Sequence, residues 1–225
     1  MNILAIETST EACTVAIRYN NQVLERFEIE PRAHSLLVLP MIDSLLSEAG
    51  ISKQQLDLIA FGCGPGAFTG VRIAASVTQG IAFAVDIPVV AVSTLLALAQ
   101  GAYRRFGLRQ ILPVLDARMD EVYITECTLG ADGIMHAGKS EIVVAPQNVV
   151  LPETGHWLGA GSGWDRYYSV LLAQQHSSVT WEQGCLPRAQ DTALIGQSMA
   201  EQGKLLTPEQ AIPVYIRNKV ATRPH

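Results

Sequence analysis

The sequence predicts a duplicated α/β fold with mixed sheets flanked by helices and a degenerate second half. Three observations carry that expectation. Strand-like and helical runs follow one another in the order βββαβαβα from the first residues onward. A similar but shorter order begins again after Arg109. An acidic residue closes the first strand of each half, Glu7 in one and Asp116 in the other, where a duplication would place them on either side of a shared cleft.

Residues 2–7 (NILAIE), 12–19 (ACTVAIRY) and 22–29 (QVLERFEI) read as strands split by the polar turns TSTE and NN, which makes an antiparallel meander. AHSLLVLPMIDSLLSEAG, 33–50, has helical spacing, with Ser35 as N-cap, Gly50 as the stop and Pro40 inside, where it removes a donor and crowds the Leu36 carbonyl. LDLIAFG, 56–62, returns as a strand, a helix spans roughly 70–85, PVVAVS, 88–93, is a strand, and Thr94 to Tyr103 is helical. In the second half ILPVLDAR (111–118) and EVYITECT (121–128) are strand-like and GIMHAGKSEIV is a weaker third. HWLGAG (156–161) then precedes the helical DRYYSVLLAQQ. Ile212, Val214 and Ile216 read as a last strand. The expected division is residues 1–108, carrying the two large apolar helices, and residues 109–225.

A chain of 225 residues with 48% hydrophobic content can bury a large core, and its net charge of -5 argues against an extended nucleic-acid footprint. Cys13, Cys63, Cys127 and Cys185 lie far apart with no metal spacing and read as buried reduced thiols of a cytoplasmic protein. MNILAIETST has neither the basic region nor the apolar run of a signal peptide or membrane span.

FGCGPGAFTGVRIAAS, 61–76, is glycine-rich ahead of a helix, a pattern that can expose N–H groups to an anion. It is not a Walker loop, since Gly70 is followed by Val71 and Arg72, nor does it read G-x-G-x-x-G. The helix it launches is small or apolar nearly all round, with only Arg72, Ser76 and Gln79 as a polar stripe. On the preceding helix Val38, Ile42, Leu45 and Ala49 form one stripe, while Leu36, Leu37, Met41 and Leu46 lie off it. Helices apolar on more than one face must be covered from two sides, by a neighbouring helix of the same chain or by a docking partner. The partner surface expected on the second alternative comprises Leu36, Leu37, Pro40 and Met41 with Val71, Arg72, Ala74, Ala75 and Gln79. An acidic substitution at Leu36 or Ala74 is then expected to leave the chain folded and abolish docking.

ILAIETST (3–10), AHSLLVLPMID (33–43), FGCGPGAFTGVRIAAS (61–76), LDARMDEVY (115–123) and PVYIRNKVA (213–221) together resemble the bacterial TsaB family, also called YeaZ, over nearly the whole chain. The resemblance implies the fold of the actin, Hsp70 and sugar-kinase ATPases. It further implies a non-catalytic partner subunit in threonylcarbamoylation of the adenosine beside the anticodon of tRNAs reading A-starting codons. On that reading the chain pairs with the catalytic paralogue TsaD, or with itself when alone, through the two helices above; a small ATPase, TsaE, joins them, and tRNA is met only through the complex. TsaD-like chains carry a metal-binding histidine pair whose positions fall here on Thr94 and Leu98, so no metal is expected. Ala117 and Arg118 stand where catalytic relatives have glycines, and Glu7 stands where they have Asp. Glu7, Thr8, Ser9, Thr10 and Asp116 are thus expected as a vestigial nucleotide site, with no intrinsic cofactor and at most a weakly held or interfacial adenine nucleotide.

The alternative is a nucleotide-hydrolysing or kinase-like enzyme using Glu7 and Asp116 around magnesium. Proteolysis fits poorly: GAGSGW has Ala160 and Trp164 where a nucleophile elbow needs glycine, and His34 beside Ser35 reads as a helix entry. Lys204, Arg217, Lys219 and Arg223 make the tail locally basic, read as a solvated surface, with a supporting contact to tRNA phosphates as the alternative.

Overall fold

A computed structural model describes residues 1–20, 22–30, 32–173 and 178–217. The apolar first strand, Ile3–Glu7 (β1), is buried along its whole length, as a strand covered on both faces requires. It pairs antiparallel with Ala12–Tyr19 (β2), which pairs antiparallel with Gln22–Ile29 (β3), giving the expected meander. On its other side β1 runs parallel to Leu58–Gly64 (β4), which runs parallel to Val89–Ser93 (β5). The first sheet therefore has the order β3-β2-β1-β4-β5.

The second sheet repeats that logic around Gln110–Arg118 (β6). Its antiparallel neighbour is Glu121–Ile124 (β7) and its parallel neighbour is His156–Ala160 (β11), itself parallel to Ser178–Glu182 (β12). Cys127–Leu129 (β8), Met135–Ala137 (β9) and Ile142–Val144 (β10) complete it. Both lobes thus place one strand between an antiparallel and a parallel partner, which is the duplication made visible.

Helices separate and flank the sheets. His34–Ala49 (α1) and Phe68–Val85 (α2) cover the outer face of the first sheet in a core built on Ile6, Val15, Ile42, Leu45 and Phe61. Thr94–Phe106 (α3) packs on the second sheet through Leu95, Leu98 and Ala102. Ala189–Glu201 (α5) packs on the inner face of the first sheet through Ala189, Ala193 and Ile195. Ser162–Leu172 (α4) covers the far face of the second sheet around the fully buried Trp164. The layers run α1/α2, sheet, α5/α3, sheet, α4, so α1 and α2 form an outermost layer with one face toward solvent.

Several expectations need correction. The cap of α1 is Ala33, without a side-chain hydrogen bond, while Ser35 lies exposed inside the helix; Gly50 does end it, in the left-handed conformation at φ 66°. The expected 121–128 strand is two, β7 and β8. Ile212, Val214 and Ile216 form no strand: the Val214 N–H donates to the Cys63 carbonyl and the Ile212 N–H to the Gln210 carbonyl, each at 2.8 Å. The 108/109 boundary separates the two sheets but not their cores, because α3 packs across onto the second sheet and α5 returns to the first. The two crossing helices are pinned together by Arg104, whose guanidinium grips the buried Asp191 carboxylate with two 2.9 Å hydrogen bonds. Among the described helices α2 alone is long and apolar enough to cross a membrane by length and composition, and here its buried stripe lies on the first sheet.

Glycines set the approach of α2. A Cβ at Gly70 would lie 2.0 Å from the Thr8 carbonyl oxygen, whereas one at Gly80 would meet nothing within 4 Å. Gly70→Ala should therefore lower the unfolding free energy by at least about 3 kcal/mol or prevent folding, while Gly80→Ala should raise it by roughly 0.5–1 kcal/mol through the lost unfolded-state freedom. Urea unfolding checks this; equal effects of the two changes would refute the close-approach account.

Candidate functional site

The turn after β1 holds Glu7, Thr8, Ser9 and Thr10, expected from the sequence as part of a vestigial nucleotide site. Here its groups are consumed internally. Glu7, Thr8 and Ser9 are buried. The Glu7 side chain lies over Gly62, where a Cβ would come within 2.0 Å of its Oε2, so the longer carboxylate fills the space that a bare strand leaves. Its Oε1 accepts from the Ser9 N–H at 2.8 Å. The Thr94 hydroxyl, at the start of α3, donates to Ser9 Oγ at 2.9 Å and stands 3.4 Å from Glu7 Oε2. Burial pushes the Glu7 carboxyl above its ordinary value, against the Ser9 and Thr94 hydrogen bonds that favour its charge.

The glycine-rich loop completes this closed cluster. The Ala67 N–H, at the α2 N-cap, donates to the Ser9 carbonyl at 2.7 Å, and the Thr8 hydroxyl donates to the Gly70 carbonyl at 2.7 Å. A Cβ at Gly66 would lie 2.4 Å from the Ser9 carbonyl oxygen. The loop therefore faces protein backbone where a phosphate cradle would face an anion, and its glycines serve close approach.

Asp116 is tied down as well. Its Oδ2 accepts from Arg166 at 2.9 Å and Arg118 at 3.4 Å, and its Oδ1 accepts from the Arg118 N–H at 2.9 Å. Ser162 Oγ accepts the Asp116 N–H at 3.1 Å, which gives that serine a structural task at the start of α4. Arg118, Met119 and Asp120 all have positive φ, a tight turn between β6 and β7. These residues fit a magnesium nucleotide poorly: the side-chain polar atoms of Glu7, Thr8 and Ser9 have partners inside the fold, Thr10 is half-buried, and Asp116 is ion-paired with Arg166 and Arg118.

Thr94 and Leu98 are both buried, Leu98 in the core between α3 and the second sheet. Among the described residues no group of three or more His, Cys, Asp or Glu converges on a metal position. All four cysteines are free and buried, and Cys63 is pushed up to about 12 by burial and by the Glu141 and Glu7 carboxylates, so it is an unreactive thiol. His34 is buried and its Nε2 meets the Thr10 carbonyl at 2.9 Å, a structural contact at the α1 entry. His136 pairs with Asp132, and His176 lies outside the described residues.

The outward face of α1 and α2 is different in kind. A groove of about 380 Å³ runs between the helices, walled by Val38 and Leu39 on one side and Phe68, Ile73 and Val77 on the other, with Arg72 at its rim. Leu36 is 75% exposed, Phe68 58% and Leu39 48%. Of the expected patch, Leu36, Pro40 and Arg72 are exposed, and Leu37 and Gln79 are half-buried. Met41, Val71, Ala74 and Ala75 are core residues, which corrects their assignment to a partner surface. Their physical role is clear: Val71, Ala74, Ala75, Thr78 and Ala82 form the stripe of α2 that lies on the first sheet, and small side chains suit that short approach. An acidic group at Ala74 would be buried in the chain's own core, so it reports stability and not docking. Leu39, Phe68 and Tyr215 were missed. Phe68 lies outside the 70–85 helix because α2 starts two residues earlier; Tyr215 reaches the patch by a tertiary contact, accepting from Arg72 Nε at 2.8 Å. Arg72 also sits 3.7 Å above the Phe68 ring.

Arg217 of the basic tail is paired with Glu121 and donates to the Ala117 carbonyl, so it is a structural tie; Lys219 and Arg223 lie outside the described residues.

The buried Glu7 makes a pH prediction. Its folded-state value is raised, so folding favours the protonated form. That stabilisation is full below the ordinary value of 4.5 and is lost as pH rises through the folded value. Glu7→Gln keeps the hydrogen-bond geometry without the charge. It should raise Tm by at least about 2 °C at pH 8 and leave it unchanged at pH 4; an equal or lower Tm at pH 8 would show that Ser9 and Thr94 fully compensate the burial.

Comparison with known proteins bears on the family and the fold. The family described as TsaD, tRNA N6-adenosine threonylcarbamoyltransferase, matches residues 23–155. The chain is 39% identical over 226 residues to the tRNA threonylcarbamoyladenosine biosynthesis protein TsaB of Escherichia coli K12, covering 98% of this chain and 96% of that one. YeaZ from Pseudomonas aeruginosa shares its structure with a TM-score of 0.90 at 43% identity, over 95% of this chain and 99% of that one. The ROK hexokinase from Thermus thermophilus, at TM-score 0.52 and 11% identity over 89% of this chain and 100% of that one, shares the fold alone. That likeness bears out the duplicated actin-like ATPase fold. Near-complete coverage at this identity establishes that the chain belongs to the TsaB family.

Proposed function

We infer that this chain serves tRNA threonylcarbamoyladenosine biosynthesis as a non-catalytic subunit that docks on the catalytic TsaD through the outward face of α1 and α2. The single observation that carries this reading is that face: an outermost layer with an apolar groove and large exposed side chains at Leu36, Leu39 and Phe68. The closed Glu7–Ser9–Thr94 cluster supports the non-catalytic part, because a group already paired inside the fold is not available to a substrate. It also disfavours a nucleotide-hydrolysing enzyme. In this proposal the same face pairs two copies when the partner is absent, TsaE joins the assembled pair, and tRNA is met only through the complex. In the same proposal any adenine nucleotide sits at the junction with the partner, and the assembly works in the cytoplasm without a membrane.

The test is threonylcarbamoyl transfer to tRNA in a reconstitution with TsaD, TsaE, ATP and the threonylcarbamoyl adenylate generator. Transfer should require this chain. Leu36→Asp and Leu39→Asp, both at exposed positions, should leave Tm nearly unchanged and weaken association with TsaD by at least about a hundredfold, because each would bury an unpaired carboxylate. Normal association of both folded variants would place the docking surface elsewhere.

A further inference from the structure

The segment Ile212–Arg217 touches both lobes and the docking face at once. Its Val214 N–H donates to the Cys63 carbonyl at the end of β4 at 2.8 Å, in the first lobe. Its Tyr215 hydroxyl accepts from Arg72 Nε at 2.8 Å, and the Tyr215 ring stands 6.0 Å from that of Phe68 on the docking face. Its Arg217 guanidinium reaches the second lobe, donating to the carbonyls of Ala117 at 3.1 Å and Arg118 at 3.4 Å and pairing with Glu121, all on the β6–β7 hairpin. Only Ile216 separates the residue that belongs to the docking face from the residue that holds the hairpin. Two residue steps span at most about 7 Å, so the two contacts lie close together along the chain.

We propose that this segment is a mechanical tie that couples docking on the α1/α2 face to the position of the second lobe's β6–β7 hairpin. The inference rests on the docking reading above and specifies its regulation. A partner that covers Phe68 and Arg72 fixes Tyr215, and a fixed Tyr215 holds Arg217 in its seat on the hairpin. The coupling is reciprocal by linkage: loosening Arg217 from the hairpin weakens docking by the same factor by which docking stabilises the hairpin seat. The element with two states is the segment itself, seated on both lobes or released at Arg217. The hairpin it grips holds Asp116, and its ladder has a register shift between Asp116 and Arg118, just where the Arg217 guanidinium meets the Ala117 and Arg118 carbonyls.

Hydrogen–deuterium exchange of the 114–124 amides tests the coupling, with association followed separately by sedimentation. In the unsubstituted chain, saturating TsaD should slow exchange of the hairpin by at least about threefold relative to the non-docking Leu36→Asp chain under the same conditions. In Arg217→Ala the docked chain should lose that protection and its affinity for TsaD should fall by a similar factor, while Arg217→Lys, which keeps a donor to the carbonyls, should recover part of both. Tyr215→Phe, which removes only the hydroxyl bonded to Arg72, should reduce the protection with Arg217 intact. If TsaD associates but hairpin exchange does not change, or Arg217→Ala keeps full protection and affinity, the tie is wrong and the docking reading stands. If sedimentation shows no association even for the unsubstituted chain, the docking reading fails and the tie falls with it.

Discussion

The backbone contact between the turn at Thr8 and Ser9 and the glycine-rich loop of residues 62–70 is the constraint on which the rest of the molecule depends. Three glycines stand where any Cβ would strike Glu7, Ser9 or Thr8. Because they are bare, β4 can lie beside the Glu7 carboxylate, the loop can hydrogen-bond the Ser9 carbonyl, and α2 can begin directly against the first strand. That approach uses up the polar groups which an ATPase of this fold would turn toward phosphate. It also sets the tilt and height of α2 over the sheet, and so the groove that α2 shares with α1. One close approach of backbone thus ties up the polar side chains of the β1 turn and positions α2.

The surface follows from the layering. A helix between two sheets, such as α3 or α5, can be apolar on several faces because the chain covers them. Helices α1 and α2 have no further layer above them, so their surplus apolar side chains meet water. Leu36, Leu39 and Phe68 gain only part of their hydrophobic free energy from folding at these exposures, which leaves apolar surface open to water. The neighbouring Arg72, stacked on Phe68 and bonded to Tyr215, gives the patch a rigid cationic rim of the kind that fixes orientation more than affinity.

Much of this was legible in the residues. Strong periodicity gave the meander, α1, β4, β5 and β6, and the missing Walker lysine with Val71 and Arg72 after Gly70 turned attention from phosphate to packing. What escaped reading had weak or non-local signals. Helix α5 buries Ala189, Ala193 and Gly196, and a Cβ at Gly196 would fall 2.5 Å from that of Ala60, so its contact stripe is too small to show as a hydrophobic period. Strand β12, SVTWE, alternates but sits at a sheet edge with a single buried residue. On α2 the pattern could say that more than one face was apolar but not which face the sheet would take. The small residues Ala74 and Ala75 went to the sheet, and the exposed side fell to Phe68 and Arg72. The internal pairing of Glu7 with Ser9 and Thr94 joins residues 85 or more positions apart in part, and no local spacing announces it.

A Glu7–Ser9–Thr94 cluster closed by the chain's own hydrogen bonds should leave the isolated chain no group with which to hold a nucleotide. Calorimetric titration of the isolated chain with magnesium ATP, paired with a phosphate-release assay, tests it most directly. The expected result is neither binding at millimolar nucleotide nor release above background, unchanged in Glu7→Gln and Asp116→Asn. Stoichiometric binding or turnover that either substitution abolishes would contradict the claim and return the chain to the nucleotide-hydrolysing class.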